Sequence, residues 1–254
     1  MSSLNQHSTS EKLWHHSVLS STNTQAKTLL QEGAEPPFWV MSDQQTAGRG
    51  RQGRHWVSEP GNLFTTVVKR FRKEAHTLTV ISLVTALAVK ETIESVTSTE
   101  LELTLKWPND ILIKSAKVSG ILIESQKTPA PLQTNQHGTD LIIGIGVNLI
   151  SHPNLADKET TNLKEVGFSV MPMVLRDALE INLNKWLTIW NNGAGQAAII
   201  EAWQRQAAPL GTPLTVKTGT TLHQGKYAGL DAQGSLKLIL ENNQIETITG
   251  GEVL

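Results

Sequence analysis

The chain has 254 residues, with 22 Lys and Arg against 23 Asp and Glu for a formal net charge of −1, so it is long enough for one large or two unequal domains and too balanced for a general nucleic-acid binder. It contains no cysteine, which excludes disulfides, thiolate metal sites and a thiol nucleophile, and its eight histidines lack the spacing of a zinc-binding helix or knuckle. No apolar run reaches membrane-spanning length and the first dozen residues have neither a cationic start nor a hydrophobic stretch, so a cytoplasmic protein is expected.

Residues 1–12 are polar and read as a short disordered leader, too short for a DNA-binding helix-turn-helix. A strand is expected from Trp14 to Leu19. Thr22 with Gln25 makes a capping-box signature and Gly33 a helix stop, which places Ser21, Thr22 and Asn23 at a helix N-terminus. Phe38 to Asp43 and Asn62 to Lys69 read as strands, and Gln45-Thr46-Ala47-Gly48-Arg49-Gly50-Arg51-Gln52-Gly53-Arg54 lies between them. Arginines interleaved with glycines predict a flexible cationic loop, not a folded element. Glycine lets the backbone approach a ligand, and guanidinium groups grip carboxylate or phosphate oxygens in pairs. With Lys69, Arg70, Arg72 and Lys73 nearby in sequence, the local field points to a small anionic ligand. Taken alone, the loop fits an exposed segment with incidental RNA affinity equally well.

Glu74 to Val96 reads as a helix with apolar residues on more than one face, hence one buried beneath a sheet. Strands follow at Leu101 to Leu105, Ile111 to Ile113, Val118 to Glu124 and Leu141 to Leu149, with Lys127 to Gly138 a polar loop. Pro172 to Asn191 carries Leu175, Leu179, Leu183, Trp186 and Trp190 on one helical stripe, and a shorter helix spans Gln196 to Gln206. Ala207-Ala208-Pro209 and Gly211 then mark a boundary. Beyond it, β-prone runs at Leu214 to Lys217, Lys226 to Leu230, Ser235 to Leu240 and Gln244 to Thr249 alternate with turns, the pattern of a small barrel. The order predicts an α+β chain in which a mixed sheet backed by helices, residues 13–207, precedes a small β-barrel at 208–254.

Further segments add chemistry: Lys106-Trp107-Pro108-Asn109-Asp110, Lys117-Val118-Ser119-Gly120-Ile121-Leu122-Ile123-Glu124 and Gly144-Ile145-Gly146-Val147-Asn148. Each is weak alone. The first is also an ordinary turn beside a core tryptophan, and Lys117 is also an ordinary solvated lysine at a strand start. Gly144 and Gly146 lack the third glycine and the helix of a dinucleotide fingerprint. In this order and at these intervals, together with Ser21-Thr22-Asn23 and the arginine-glycine loop, the set resembles the biotin-protein ligases from about Trp14 to the end. The stretch Gly225 to Asp231 and the terminal Gly250-Gly251-Glu252-Val253 resemble the SH3-like C-terminal domain of that family. The resemblance implies a class II synthetase-like catalytic fold, ATP, biotin and Mg2+ as reactants, biotinyl-5'-AMP as intermediate, and a biotin carboxyl carrier protein as partner. It leaves a homodimer open and implies no DNA or membrane partner.

By motif position, the resemblance assigns Ser21, Thr22, Asn23 and Gln45 to biotin, where hydrogen bonds suit a neutral ureido ring. It assigns Arg49, Gly50, Arg51 and Lys117 to biotin and its adenylate, with Arg51 and Lys117 the catalytic cations and the loop ordering as ligand binds. Arg51, Arg54, Trp56, Lys106, Asn109, Asp110 and Asn148 fall to ATP, with Mg2+ near Asp110 or Asn148. Trp56 would stack on adenine or pack beneath the loop. Gln52 departs from the pattern, since well-known members have another arginine there, and no His-carboxylate pair in the sequence announces a general base. Lipoate-protein ligase, with the same adenylation logic, is the nearest alternative, although the Gly48 to Arg51 loop and the barrel favour biotin. A non-catalytic nucleic-acid-binding module, salt-dependent and ATP-independent, is the alternative of a different class.

Overall fold

The computed structural model describes residues 11–73, 78–97, 101–128, 138–154 and 159–254. Seven strands form one mixed sheet: β1 (Lys12–Leu19), β2 (Phe38–Gln45), β3 (Leu63–Phe71), β4 (Leu103–Lys106), β5 (Asp110–Ile113), β6 (Ala116–Thr128) and β7 (Gly138–Val147). Their spatial order is β1-β2-β3-β7-β6-β5-β4, with β1 parallel to β2 and every other pair antiparallel. The helices are α1 (Thr22–Gln31), α2 (Ile81–Val96), α3 (Pro172–Trp190) and α4 (Gln196–Gln204).

Helices cover both faces of the central strands. Trp39, Met41, Leu63, Val67, Ile143, Ile145 and Val147 join the apolar side chains of α2, α3 and α4 in one cluster. The alternate residues Phe38, Val40, Val68 and Ile142 meet Ala26 and Leu29 of α1 on the other face. Burial on both faces explains why these strands read as nearly continuous apolar runs instead of strict alternation. Helix α1 covers only part of its face, and the uncovered part lies over β6 and β7.

Several expected boundaries move. Of the expected leader, residues 1–10 lie outside the described residues, whereas Lys12 opens β1 and the Glu11 carboxylate pairs with Lys69 and accepts a 3.0 Å bond from Trp39 Nε1. The helix expected from Glu74 begins at Ile81 after a turn that buries Leu78 and Val80, with 74–77 outside the described residues. Most of the Lys127 to Gly138 loop is likewise outside them. The capping box does not form. Ser21 is the N-cap without a side-chain cap bond, and the Thr22 hydroxyl turns to tertiary partners, donating to Gln45 Oε1 at 3.2 Å and accepting from Thr66 Oγ1 at 2.8 Å.

The C-terminal strands β8 (Pro213–Thr218), β9 (Thr221–Leu230), β10 (Leu236–Ile239), β11 (Ile245–Ile248) and β12 (Glu252–Val253) form a separate antiparallel sheet in the order β11-β10-β9-β8-β12. Strand β12 was not anticipated, because two residues are too few to show a period. The apolar side chains of this sheet, among them Val216, Tyr227, Leu238 and Val253, belong to the same buried cluster as α2 and α3. Trp107 Nε1 also donates to Gly234 O at 3.1 Å, tying the turn after β4 to the second sheet. No helix among the described residues is long and apolar enough to cross a membrane.

Candidate active site

The uncovered part of the large sheet is a cleft whose floor is set by strand register. Gly120 of β6 pairs with Gly146 of β7, and Leu122 with Gly144. Side chains alternate along a strand, so three of these four positions present no bulk on the cleft face. A Cβ on Gly146 would lie 2.6 Å from the Trp56 indole, and one on Gly144 would lie 2.3 Å from Asn23 Oδ1. Trp56 thus lies against the floor beneath the loop, with Lys117 Nζ 5.3 Å from its ring centroid. Asn23 is held on two sides, since its Oδ1 lies 2.7 Å from Thr66 Oγ1, whose one hydrogen it shares with Thr22 Oγ1, and its Nδ2 donates to Glu124 Oε2 at 2.8 Å. Gly144→Ala is therefore expected to dislodge Asn23 and destabilise the fold by about 1–3 kcal/mol, the usual range for an overpacked site. A urea midpoint unchanged from wild type would contradict that fit.

At the α1 end, the Gln45 side chain accepts from Thr22 N at 2.9 Å and donates to Ser58 Oγ at 3.0 Å. Ser21, Thr22, Asn23 and Gln45 all line the cleft. They form its uncharged, hydrogen-bonding end.

The arginine-glycine segment is a folded hairpin, contrary to the unstructured loop expected. Arg49 bridges to His55, Gly50 N donates to Arg54 O at 2.7 Å, and Trp56 N donates to Gly48 O at 2.9 Å. The reversal is a two-residue turn in which Gln52 has φ 57° and ψ 30°, Gly53 has φ 72°, and Arg54 N closes on Arg51 O at 3.2 Å. Left-handed backbone at both central positions is the turn that matches strand twist in a hairpin. Glycine supplies it freely at 53, whereas Gln52 adopts it at some steric cost.

Each arginine of the hairpin has a different partner. Arg49 Nη2 donates to Glu124 Oε2 at 3.2 Å, and Lys27 Nζ reaches Glu124 Oε1 at 2.6 Å. Burial pushes the Glu124 carboxyl up, but the bonds from Lys27 and Asn23 and the charges of Lys27 and Arg49 outweigh it and hold the pKa below its ordinary value. Arg54 grips both oxygens of the Glu252 carboxylate, with Nη1 to Oε1 at 2.6 Å, and so fastens the hairpin to β12. Arg51 points inward and donates from Nη1 to Asn109 Oδ1 at 3.0 Å. Burial lowers its pKa, as does the Arg54 charge, against the raising effect of Asp110 and Glu252.

Breaking the Arg54–Glu252 pair should loosen the hairpin only modestly, because the Arg54 side chain is 48% exposed and exposed pairs contribute about 0.2–1 kcal/mol. For Glu252→Gln, trypsin cleavage at Arg49, Arg51 and Arg54 is expected to speed up about 1.4- to 5-fold, the same free energy read as a population ratio. Cleavage at the wild-type rate would show that β12 does not hold the hairpin.

Opposite Arg51, Lys117 Nζ sits 2.6 Å from Asp110 Oδ1. That contact is an ion pair, not a directed bond, and Oδ1 is buried with no hydrogen-bond partner among the described residues. Lys117 stands in β6 rather than ahead of it, next to an irregularity in the β5–β6 register, and its backbone is bonded to 159–161: Lys117 N donates to Glu159 O at 2.9 Å and Thr161 N to Lys117 O at 3.0 Å. Asn109 Nδ2 donates to Ile121 O at 2.7 Å, and Asn148 Nδ2 to Thr161 O at 3.0 Å, which fixes both amides at the edge of the cleft.

The cleft thus gathers Ser21, Thr22, Asn23, Gln45, Arg49, Gly50, Arg51, Arg54, Trp56, Asn109, Asp110, Lys117 and Asn148, while Lys106 is not among its lining residues. Sequence reasoning missed Glu124 and Glu252 as partners of the arginines. Glu124 stood inside a quoted motif, and its Lys-rich, Arg-rich surroundings in space had no local signature. No cluster of three or more metal-ligating side chains occurs among the described residues. Two carboxylates line the cleft among the described residues, Asp110 and Glu252, and Glu252 is taken up by Arg54. That fits a magnesium ion whose other ligands are phosphates and water, not one held in an all-protein cage.

Such a cleft, uncharged at one end and cationic at its centre under a tethered hairpin, suits an elongated ligand that carries negative charge at its middle. Residues 15–148 match the Biotin/lipoate A/B protein ligase family. A biotin–[acetyl-CoA-carboxylase] ligase of Paracoccus denitrificans is 35% identical over 224 residues, covering 86% of this chain and 90% of that one. The bifunctional ligase/repressor BirA of Bacillus subtilis is 31% identical over 241 residues, 92% of this chain and 70% of its own. The structure of the biotin protein ligase from Aquifex aeolicus in complex with biotin and ATP is also similar, with a TM-score of 0.79 at 25% identity, covering 96% of this chain and 98% of that one. The fold is accordingly that of the biotin protein ligases, a mixed sheet backed by helices with an SH3-like C-terminal unit. The chain belongs to the biotin/lipoate A/B protein ligase family.

Proposed function

We infer that this protein is an ATP-dependent biotin ligase that forms biotinyl-5'-AMP and passes biotin to a lysine of a biotin carboxyl carrier protein. The observation that carries this reading is that Arg51 and Lys117 line the same cleft as Ser21, Thr22, Asn23 and Gln45, with Arg51 on Asn109 and Lys117 on Asp110. A carboxylate and an α-phosphate repel each other, so their union needs preorganised cations where charge develops on the phosphoryl oxygens. The uncharged end suits the ureido ring, and the cationic centre suits the new mixed anhydride. Arg49 is better assigned to the frame than to the ligand, because its guanidinium is engaged by Glu124.

Magnesium, when bound with ATP, would neutralise phosphate charge, and Asp110 is the residue to hold it. Residues 13–207 would be the catalytic domain and 208–254 the C-terminal domain, which keeps the hairpin in place through Glu252. A lipoate ligase shares the family but has less support from the relatives. A nucleic-acid-binding module is disfavoured because Arg49 and Arg54 are paired with carboxylates and Arg51 turns into the cleft. The deciding assay supplies ATP, magnesium and either biotin or lipoate, then follows pyrophosphate release and transfer to a carrier domain. Release dependent on biotin is expected, and its absence would sink the assignment.

A further inference from the structure

Outside the groups assigned above, one polar cluster stands against the cleft wall. Strand β7 leads into His152 and Pro153, and the chain returns at 159–161 to lie beside Lys117. Pro153 and Thr160 line the cleft, and the His152 ring sits behind them. Its Nδ1 lies 2.8 Å from Thr160 Oγ1 and 3.1 Å from Pro153 O, while its Nε2 lies 2.9 Å and 3.1 Å from the two carboxylate oxygens of Glu165.

The hydrogens in this cluster can be assigned by counting. A threonine hydroxyl has one hydrogen, and Thr160 Oγ1 gives it to Pro153 O at 2.5 Å. Toward His152, Thr160 Oγ1 is therefore an acceptor, and so are the Pro153 carbonyl and the Glu165 carboxylate. Both imidazole nitrogens therefore face acceptors. The ring bridges them, held from outside by Glu165 and tying Pro153 and Thr160 together on the cleft side. The second end matters for chemistry, because 159–161 is hydrogen-bonded to the backbone of Lys117 and accepts from the Asn148 amide.

We propose that His152 is a positioning residue for the nucleotide end of the cleft, setting the wall at Pro153 and Thr160 against which a nucleoside triphosphate binds. The proposal rests on the ligase reading above. It does not make His152 a base, since the ring sits behind Pro153 and Thr160 with both nitrogens engaged by protein groups. Glu165 supports the arrangement from the opposite side: burial raises its pKa, but its bonds to His152, Asn162 and Thr161 prevail and leave it lowered.

The test uses the full chain and compares KM for ATP, KM for biotin and biotin binding without ATP. His152→Ala is expected to raise KM for ATP about 10-fold, the order for losing one or two side-chain hydrogen bonds, and to leave both biotin measures within about 2-fold. His152→Gln, which restores one donor, should recover part of the loss. Thr160→Val should give a smaller rise, and the double variant His152→Ala with Thr160→Val should be no worse than His152→Ala alone, because both act through one contact. An unchanged KM for ATP overturns the proposal, as does an equal rise for ATP and biotin or a double variant whose losses simply multiply. Wild-type protein that releases no pyrophosphate with biotin overturns the ligase reading and the proposal together, an outcome visible before any variant is made.

Discussion

Lys117→Met is expected to slow biotin-dependent pyrophosphate release by about 10²- to 10³-fold, the usual cost of removing one preorganised group that stabilises a developing oxyanion. Biotin binding without ATP should change little, because the uncharged end of the cleft is built from Thr22, Asn23 and Gln45 and is bonded independently of Lys117. One complication has to be separated. Lys117 also neutralises Asp110, whose Oδ1 is buried, and removing one member of this half-buried pair leaves that oxygen uncompensated. The double variant Lys117→Met with Asp110→Asn removes that stranded charge. If the loss belongs to the missing cation, the double variant stays slower in single-turnover adenylation than Asp110→Asn alone, which measures what Asp110 itself contributes. A double variant as fast as Asp110→Asn would show that Lys117 serves chiefly to balance Asp110.

Arg51→Gly should act on a different step. Arg51 lines the cleft from the hairpin side and its side chain is partly buried, so bonds to an anionic intermediate would have reduced competition from water. Losing hydrogen bonds to a charged partner costs about 1.5–3 kcal/mol, which corresponds to release of the adenylate roughly 10- to 100-fold faster. The hairpin itself should survive, since Arg51 contributes only its backbone carbonyl to the turn and Arg49 and Arg54 keep their own carboxylates. The released mixed anhydride would acylate lysines at random. Stopped-flow dissociation of biotinyl-5'-AMP, with mass spectrometry of a bystander protein, reads both effects, and a dissociation rate equal to wild type would remove Arg51 from the retention mechanism.

Much of this arrangement was legible in the sequence where local pattern and final structure agree. The apolar run of β7 is buried on both faces, so it announces a strand without alternation, and Gly33 ends α1 at φ 91° as a helix-stop glycine would. Failures came where a distant partner decided the outcome. Thr22 resembles a cap, yet its hydroxyl is claimed by Gln45 and Thr66. The hairpin looked formless because one of its two left-handed positions is Gln52, a residue type without turn preference. Its anchors were invisible for a related reason: Glu124 lies 75 residues from Arg49, and Glu252 lies 198 residues from Arg54. The pair His152 and Glu165 is only 13 residues apart, but an intervening change of chain direction brings them together, which no periodicity reports.

The tether between Arg54 and Glu252 also has a meaning in time. A ribosome releases the hairpin, the glycine floor and Lys117 long before it adds Glu252 and Val253, which line the same cleft. Chains fold progressively as they emerge, so the large sheet can be in place while the hairpin still lacks its last fastening. The site is thus completed by residues that follow the hairpin by 198 positions. A chain cut short before β12 would hold most of the reactive groups in position, yet lack the contact that keeps the hairpin down over an activated intermediate.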